Sequence, residues 1–185
     1  MKKKDPSAFR YLHSEVVECT QCPLHETRIN AVFGEGDSNA NILIIGEGPG
    51  ANEDKLGRPF VGRAGKLLDE VLGSFDLNRE NGVFIANIVK CRPPKNRVPK
   101  KVEVNTCFPY LERQIELLNP KIIVLLGLTA VKSFLGIEEQ MKAIRGVEKN
   151  VNGRKVMATY HPAAILRNPN LRKLLEEDIQ KIAQI

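Results

Sequence analysis

Tryptophan is absent from this 185-residue sequence, and aromatic residues make up only 5% of it. Long hydrophobic runs are also missing, and no apolar stretch approaches the roughly 18 residues that a membrane span needs. The basic N-terminus leads into no hydrophobic signal region. The sequence therefore predicts a cytoplasmic protein with no membrane partner. Because aromatic side chains are scarce, a phenylalanine in a loop is a candidate for a specific contact.

Cysteines are few, and they fall into two groups, Cys19 with Cys22 and Cys91 with Cys107. In an intracellular protein, this number does not indicate a disulfide framework. Two groups of thiols can instead supply a four-thiolate site, either for tetrahedral zinc or for an iron–sulfur cluster. His25 is an alternative zinc ligand, and four unrelated buried cysteines are the alternative to any metal site. Spacing alone does not distinguish zinc from iron–sulfur.

Four short apolar runs alternate with helical patterns along the chain. They predict buried strands over residues 42–45, 83–89, 121–126 and 155–159. Apolar spacing predicts helices over residues 5–18, 64–75, 102–118, 127–135 and about 170–182. This alternation favours an α/β fold with a parallel sheet and helices on both faces. A length of 185 residues with 42% hydrophobic residues fits one domain spanning residues 1–185.

A glycine-rich loop, Gly46-Glu-Gly-Pro-Gly50, follows the first predicted strand. Glycines let the backbone approach a ligand closely, and ligands of parallel α/β sheets bind at the carboxyl ends of the strands. The loop lacks the later glycine of a dinucleotide fingerprint, and no Gly-Lys-Ser/Thr follows as in a P-loop. The polar residues 51–63 that come next are predicted to form a long loop.

Polar side chains lie near the carboxyl ends of three of the predicted strands: Glu47 at the first, Asn87 at the second and His161 at the fourth. Phe60 lies in the loop after the first strand. Around one pocket, Phe60 could stack on a planar ring, Asn87 could pair with a base edge, and His161 could donate to an oxygen that gains charge. Taken singly, each has an ordinary structural role as the alternative: packing for Phe60, backbone hydrogen bonds for Asn87, a surface position for His161 and an ion pair for Glu47.

The chain is basic, with a formal net charge of +6 and a sequence pI near 9.2. A positive charge of this size fits a polyanionic partner such as nucleic acid.

Four motifs, in this order along the chain, are similar to those of the family 4 uracil-DNA glycosylases, the iron–sulfur branch of their superfamily. They are Gly46-Glu-Gly-Pro-Gly50, Gly57-Arg-Pro-Phe-Val-Gly-Arg-Ala-Gly65, Asn87 followed by Cys91-Arg-Pro-Pro, and His161-Pro-Ala-Ala-Ile-Leu-Arg167. The resemblance spans residues 19–167. It implies a three-layer α-β-α sandwich around a four-stranded parallel sheet. It also implies a [4Fe-4S] cluster on Cys19, Cys22, Cys91 and Cys107, and hydrolysis of the N-glycosidic bond of uracil in DNA during base excision repair.

The resemblance assigns roles to the residues of the pocket. The uracil nucleotide flips out of the stack, and Phe60 stacks on its ring. Asn87 reads O4 and N3–H, which rejects cytosine, and His161 donates to O2 of the departing base. The backbone of Gly48, Pro49 and Gly50 lines the pocket, with Pro49 and Gly50 approaching the 5-position of the pyrimidine.

One departure concerns the attacking water. In the family 1 enzymes, an aspartate thought to act on this water stands where this chain has Gly48. Its absence is normal for family 4, and it leaves Glu47 as the nearest carboxylate in sequence. A well-stabilised leaving group reduces the need for a strong base.

DNA contacts are expected from the segment after His161. Ile165 or Leu166 is expected to wedge into the gap that the flipped base leaves. Arg63 and Arg167, among other basic residues, are expected to contact phosphates. The expected partner is uracil-containing DNA, double- or single-stranded, bound by a monomer. The alternatives are a glycosylase for another deaminated base such as hypoxanthine, or a non-catalytic iron–sulfur protein that binds nucleic acid or transfers electrons.

Overall fold

The computed structural model describes residues 6–185, and its centre is a six-stranded sheet. The strands are β1 (Glu35–Gly36), β2 (Ile42–Gly46), β3 (Val83–Asn87), β4 (Ile122–Leu126), β5 (Glu148–Val151) and β6 (Arg154–Thr159). They lie in the order β1-β3-β2-β4-β6-β5. The inner strands β3, β2, β4 and β6 are parallel, whereas β1 and β5 pair antiparallel at the two edges.

The four predicted strands are confirmed as these parallel inner strands. The second ends at Asn87, two residues earlier than predicted. The edge strands were not predicted because neither carries an apolar run. β1 has only two residues, and β5 is polar and alternates exposed with half-buried side chains.

Eight helices join the strands within residues 6–185. They are α1 (Pro6–Glu18), α2 (Ala51–Leu56), α3 (Arg63–Gly73), α4 (Lys101–Leu118), α5 (Leu128–Leu135), α6 (Met141–Ile144), α7 (Pro162–Arg167) and α8 (Arg172–Ile182). Short 3-10 turns cover Pro23–Glu26, Pro94–Asn96 and Pro169–Leu171. The helix predicted over residues 5–18 is found from Pro6, and residue 5 lies outside the described part of the chain. Among these helices, none is long and apolar enough to cross a membrane.

The prediction of a loop over residues 51–63 is wrong for α2. Gly50 caps this helix in an extended conformation, and Glu53 and Asp54 lie in its first turn, where carboxylates favour the positive end of the helix dipole. Gly57 ends it with φ of 69°, in the left-handed conformation that glycine adopts at low cost.

The sheet is packed on both faces. Leu43 and Ile45 of β2 point into a core shared with α1, α4 and α5. Ile42 and Ile44, which alternate with them, point into a second core shared with α3 and α8. Continuous apolar strands are what a sheet covered on both faces requires. The fold is therefore the expected α-β-α sandwich.

Candidate active site

A cavity of about 800 Å³ lies where the parallel strands end. Residues that follow β2, β3, β4 and β6 all line it, which is where ligands of parallel sheets bind. We call it the strand-end cavity. The predicted residues that line it are Glu47, Gly48, Pro49, Gly50, Phe60, Asn87, His161 and Arg167.

Asn87 is the last residue of β3 and is only 2% exposed. Its Oδ1 is buried and has no hydrogen-bond partner among the described residues. A buried acceptor without a partner costs free energy, on the order of 1–3 kcal/mol. A Cβ at Gly46 would lie 2.6 Å from this oxygen, so any larger residue at position 46 would collide with the amide. The side chain is therefore ready to pair with a bound donor.

The ring of Phe60 lies beside Asn87 over the same glycine. A Cβ at Gly46 would also lie 2.6 Å from Cζ of Phe60, so only glycine fits between the ring and the amide. The Phe60 backbone has φ of 52°, a left-handed conformation that is uncommon for a residue with a bulky side chain. The residue is 7% exposed, and the centroid of its ring lies 5.5 Å from that of His161, with 32° between the planes.

His161 immediately precedes α7, and its ring has a defined tautomer. Its Nδ1 accepts a hydrogen bond from the backbone N–H of Ala163 at 3.1 Å. In a neutral imidazole, the proton must then be on Nε2. Burial, reinforced by the positive charge of Arg167, lowers the pKa of His161 to about 4. The residue is therefore a neutral hydrogen-bond donor at physiological pH.

The loop from Glu47 to Gly50 forms another wall. The backbone carbonyl of Glu47 accepts a hydrogen bond from the N–H of Val89 at 3.2 Å, which fixes the loop against the residues after β3. A Cβ at Gly48 would lie 2.7 Å from Cγ2 of Val89. A larger residue at position 48 would therefore require Val89 to move.

Glu53 also lines the cavity and was not predicted from the sequence. Its Oε1 accepts hydrogen bonds from the backbone N–H groups of Val61 and Gly62, both at 2.9 Å. A Cβ at Gly50 would lie 2.7 Å from its Oε2. Glu53 thus ties the loop after Phe60 to the glycine-rich loop. The acidic first turn after Gly-Pro-Gly was the signal that could have identified this helix.

The predicted DNA contacts divide according to exposure. Ile165 is 3% exposed and packs in the core shared with α3 and α8, which disfavours it as the DNA wedge. Leu166, the next residue, is 41% exposed and is the remaining candidate. Arg63 is exposed at the start of α3, outside the cavity lining, whereas Arg167 lines the cavity.

The four cysteines line a second, smaller recess, which we call the cysteine recess. All four are free of disulfides. The Sγ of Cys91 accepts a hydrogen bond from Arg28 Nη1 at 3.0 Å, and the Sγ of Cys107 accepts one from the backbone N–H of Lys90 at 3.2 Å. Burial raises the pKa of both thiols, to about 11 for Cys107, and these donors partly oppose that rise. Four cysteines lining one recess are a donor set that fits a cysteine-ligated group.

A site for one metal ion requires ligands that converge on a single point. Within residues 6–185, no three His, Cys, Asp or Glu side chains group closely enough to hold one metal ion. A tetrahedral zinc needs its ligands around one centre, whereas an iron–sulfur cluster binds each cysteine through a different iron. The four cysteines thus share one recess without forming a compact single-ion centre among the described residues.

Comparisons with known proteins identify one family. The model of the uracil DNA glycosylase superfamily matches residues 33–183. A type-4 uracil-DNA glycosylase of Sulfurisphaera tokodaii is 48% identical, over 94% of this chain and 83% of the relative. That of Thermotoga maritima is 48% identical, over 90% of this chain and 88% of the relative. That of Saccharolobus solfataricus is 49% identical, over 92% of this chain and 82% of the relative.

Proposed function

Because the chain belongs to the uracil DNA glycosylase superfamily, and matches its type-4 members over most of their length, we propose that it removes uracil from DNA. It hydrolyses the N-glycosidic bond and leaves an abasic site. The buried, unpaired Oδ1 of Asn87 in the strand-end cavity is the observation that carries this proposal.

Uracil is recognised through its edge and its face. The Oδ1 of Asn87 accepts the N3–H of the base, and the amide nitrogen donates to O4. Cytosine presents the opposite pattern and leaves both amide groups unpaired, a cost that disfavours it. The Phe60 ring covers one face of the base, which a pocket can hold only after the nucleotide has flipped out of the duplex.

His161 stabilises the leaving group. As the bond to C1′ breaks, negative charge collects on the uracil, and Nε2–H of His161 donates to O2. Because the pKa of His161 is lowered to about 4, the imidazole is neutral at physiological pH and acts as a hydrogen-bond donor rather than as an acid. A donor that acts mainly on the developing charge lowers the barrier more than it strengthens substrate binding.

Water completes the reaction by attacking the sugar, which passes through an oxocarbenium-like state. Glu47 is half-buried in the lining of the cavity and is the carboxylate that orients this water. Gly48 supplies no side chain, so the reaction relies on stabilisation of the departing base by His161. Pro49 and Gly50 close the cavity near the pyrimidine 5-position.

The protein acts as a monomer on double- or single-stranded DNA. Leu166 enters the stack in place of the flipped base, and Arg63 and Arg167 contact the flanking phosphates.

Arg97 has a structural role, because its guanidinium forms a two-point ion pair with Glu103 at 2.6 and 2.8 Å. This pair anchors the loop before α4 rather than offering a free charge to DNA.

The four cysteines hold a [4Fe-4S] cluster. When bound, this group supplies a covalent cross-link among the chain segments that carry its ligands. Cys19 and Cys22 follow α1, Cys91 follows β3, and Cys107 lies in α4. None of the four lines the strand-end cavity, so the cluster stabilises the fold and takes no part in bond cleavage.

The activity is tested with DNA duplexes that contain one uracil, one hypoxanthine or only normal bases, each followed by alkaline cleavage. Cleavage only at uracil supports the proposal. Cleavage at hypoxanthine instead would indicate the alternative glycosylase, and no cleavage would indicate a non-catalytic protein. The same assay on a single strand reports whether a duplex is required.

The cofactor is tested on protein purified without oxygen. Iron–sulfur protein is brown and absorbs broadly near roughly 400 nm. Iron and sulfide analysis then gives the stoichiometry. Colourless protein that contains zinc and no iron would overturn this part of the proposal.

A further inference from the structure

The loop that carries Phe60 is held in an unfavourable conformation. Phe60 has φ of 52°, in a region that costs a bulky residue free energy. Its carbonyl oxygen packs against Gly65 in α3, where any Cβ would collide with that oxygen. Such a conformation persists only when the surroundings impose it.

Arg79 supplies that constraint from a separate turn of the chain. Its Nη1 donates to the carbonyl oxygen of Pro59 at 2.7 Å, and its Nη2 donates to the carbonyl oxygen of Phe60 at 2.7 Å. The two nitrogens thus hold both carbonyl groups next to the strained residue. A planar guanidinium is suited to this two-point contact, and a lysine ammonium is not.

Two carboxylates hold the guanidinium in place. Nε of Arg79 donates to Asp69 Oδ1 at 3.0 Å, and Nη1 lies 3.7 Å from Glu35 Oε2. The Arg79 side chain is only 12% exposed, whereas Arg58, which also pairs with Glu35, is 59% exposed. Arg79 is therefore anchored on one side and bonded to the Phe60 loop on the other.

We propose that Arg79 is a positioning residue for excision, which fixes the ring of Phe60 over the uracil by holding the carbonyl groups of Pro59 and Phe60. Arg79 does not line the strand-end cavity, so its effect passes through Phe60. This inference rests on the proposed stacking of Phe60 on uracil.

The test is a double-mutant cycle with Arg79→Met, Phe60→Ala and the combined variant. The readouts are the single-turnover excision rate, inhibition by free uracil and the affinity for undamaged DNA. Arg79→Met should slow excision and weaken uracil inhibition by roughly 10- to 100-fold, because small displacements of a positioning group are costly. Affinity for undamaged DNA should stay unchanged.

Once Phe60 is alanine, adding Arg79→Met should slow excision by less than about threefold, since the ring that Arg79 positions is gone. Equal losses in both backgrounds would overturn the inference and leave the stacking of Phe60 intact. A Phe60→Ala protein with normal excision and normal uracil inhibition would overturn the stacking itself, and the inference with it.

Two further variants separate positioning from general stability. Arg79→Lys keeps a positive charge for Asp69 and Glu35 but cannot hold both carbonyl groups, so it should lose excision with little change in Tm. It also replaces Arg79→Met in the cycle if that variant does not fold. Arg58→Met, the matched control, removes only the exposed pair with Glu35 and should leave excision within about twofold of wild type.

Discussion

The strand-end cavity and the cysteine recess differ in whether their buried polar atoms have hydrogen-bond partners. In the cavity, Asn87 leaves a buried oxygen without a partner, and Phe60 keeps a strained backbone. In the recess, the sulfurs of Cys91 and Cys107 both accept hydrogen bonds from nitrogen. Unpaired buried polar groups and strained backbone are concentrated at binding sites, where a ligand can supply the missing partner. The comparison supports the proposal that uracil binds in the cavity.

Lys90 joins the two regions. Its backbone N–H donates to Cys107, while its buried Nζ donates to the carbonyl oxygen of Asn87 at 2.9 Å and to Oε1 of Gln114 at 2.5 Å. Asn87, the residue proposed to read uracil, is therefore held by a lysine that directly precedes a cysteine of the recess.

The largest effect is expected at His161. His161→Ala should slow single-turnover excision by about 10² to 10³, because it removes a donor to the developing negative charge. The Kd for uracil-containing DNA should change little. His13→Ala, which alters an exposed histidine outside the cavity, is the control. An unchanged rate would remove His161 from the mechanism, and Glu47 would be tested next.

A smaller loss is expected at Asn87. Asn87→Ala should slow excision on the order of 10- to 100-fold, since each unpaired group on the buried uracil edge costs about 1–3 kcal/mol. Asn87→Asp should be similarly impaired, because a carboxylate cannot donate to O4. Exposed Asn39 lies outside the cavity, so Asn39→Ala is the matched control. Excision by Asn87→Ala at the wild-type rate would show that this amide does not read the base.

Within α7, neighbouring residues should separate activity from stability. Leu166→Ala should slow excision from duplex DNA severalfold without changing the free energy of unfolding. Ile165→Ala, in the core, should lower that free energy by about 2–4 kcal/mol. Denaturant unfolding and duplex excision measured on both variants check this, and the reverse pattern would assign the wedge to Ile165.

The smallest effect on chemistry is expected in the cysteine recess. Cys107→Ser should lower the iron content and the Tm. The folded fraction should still excise uracil within about twofold of the wild-type rate, because none of the four cysteines lines the strand-end cavity. Thr106→Ala, at the neighbouring position of the recess, should keep both iron and stability. A Cys107→Ser protein that remains folded yet has lost excision would break the comparison between the two regions.

The sequence predicts those features that have a local signal. The parallel strands are runs of apolar residues, and the polar residues after them lie together because parallel strands end at one edge of the sheet. Helix α2 and Glu53 were missed because Gly48, Pro49 and Gly50 indicate a break, while the acidic turn that follows is a weaker signal. Only packing decides that Ile165 is buried and Leu166 exposed, since the two are adjacent apolar residues.

Contacts between distant segments leave no local pattern at all. Arg79 bonds to Pro59 and Phe60 across about 20 residues, and nothing in its neighbourhood in the sequence indicates that partner. Likewise, β5 is polar, and its pairing with β6 comes from a turn rather than from an apolar run.

The two antiparallel edge strands have a consequence for behaviour at high concentration. A long apolar edge offers unpaired backbone groups on which a foreign strand can add. Here the four apolar strands are all interior, while the edges are the two-residue β1 and the polar β5, with Glu148 and Lys149 at its start. A strand of another molecule could pair only with these short or charged edges. The native protein is therefore protected against aggregation through its most apolar strands.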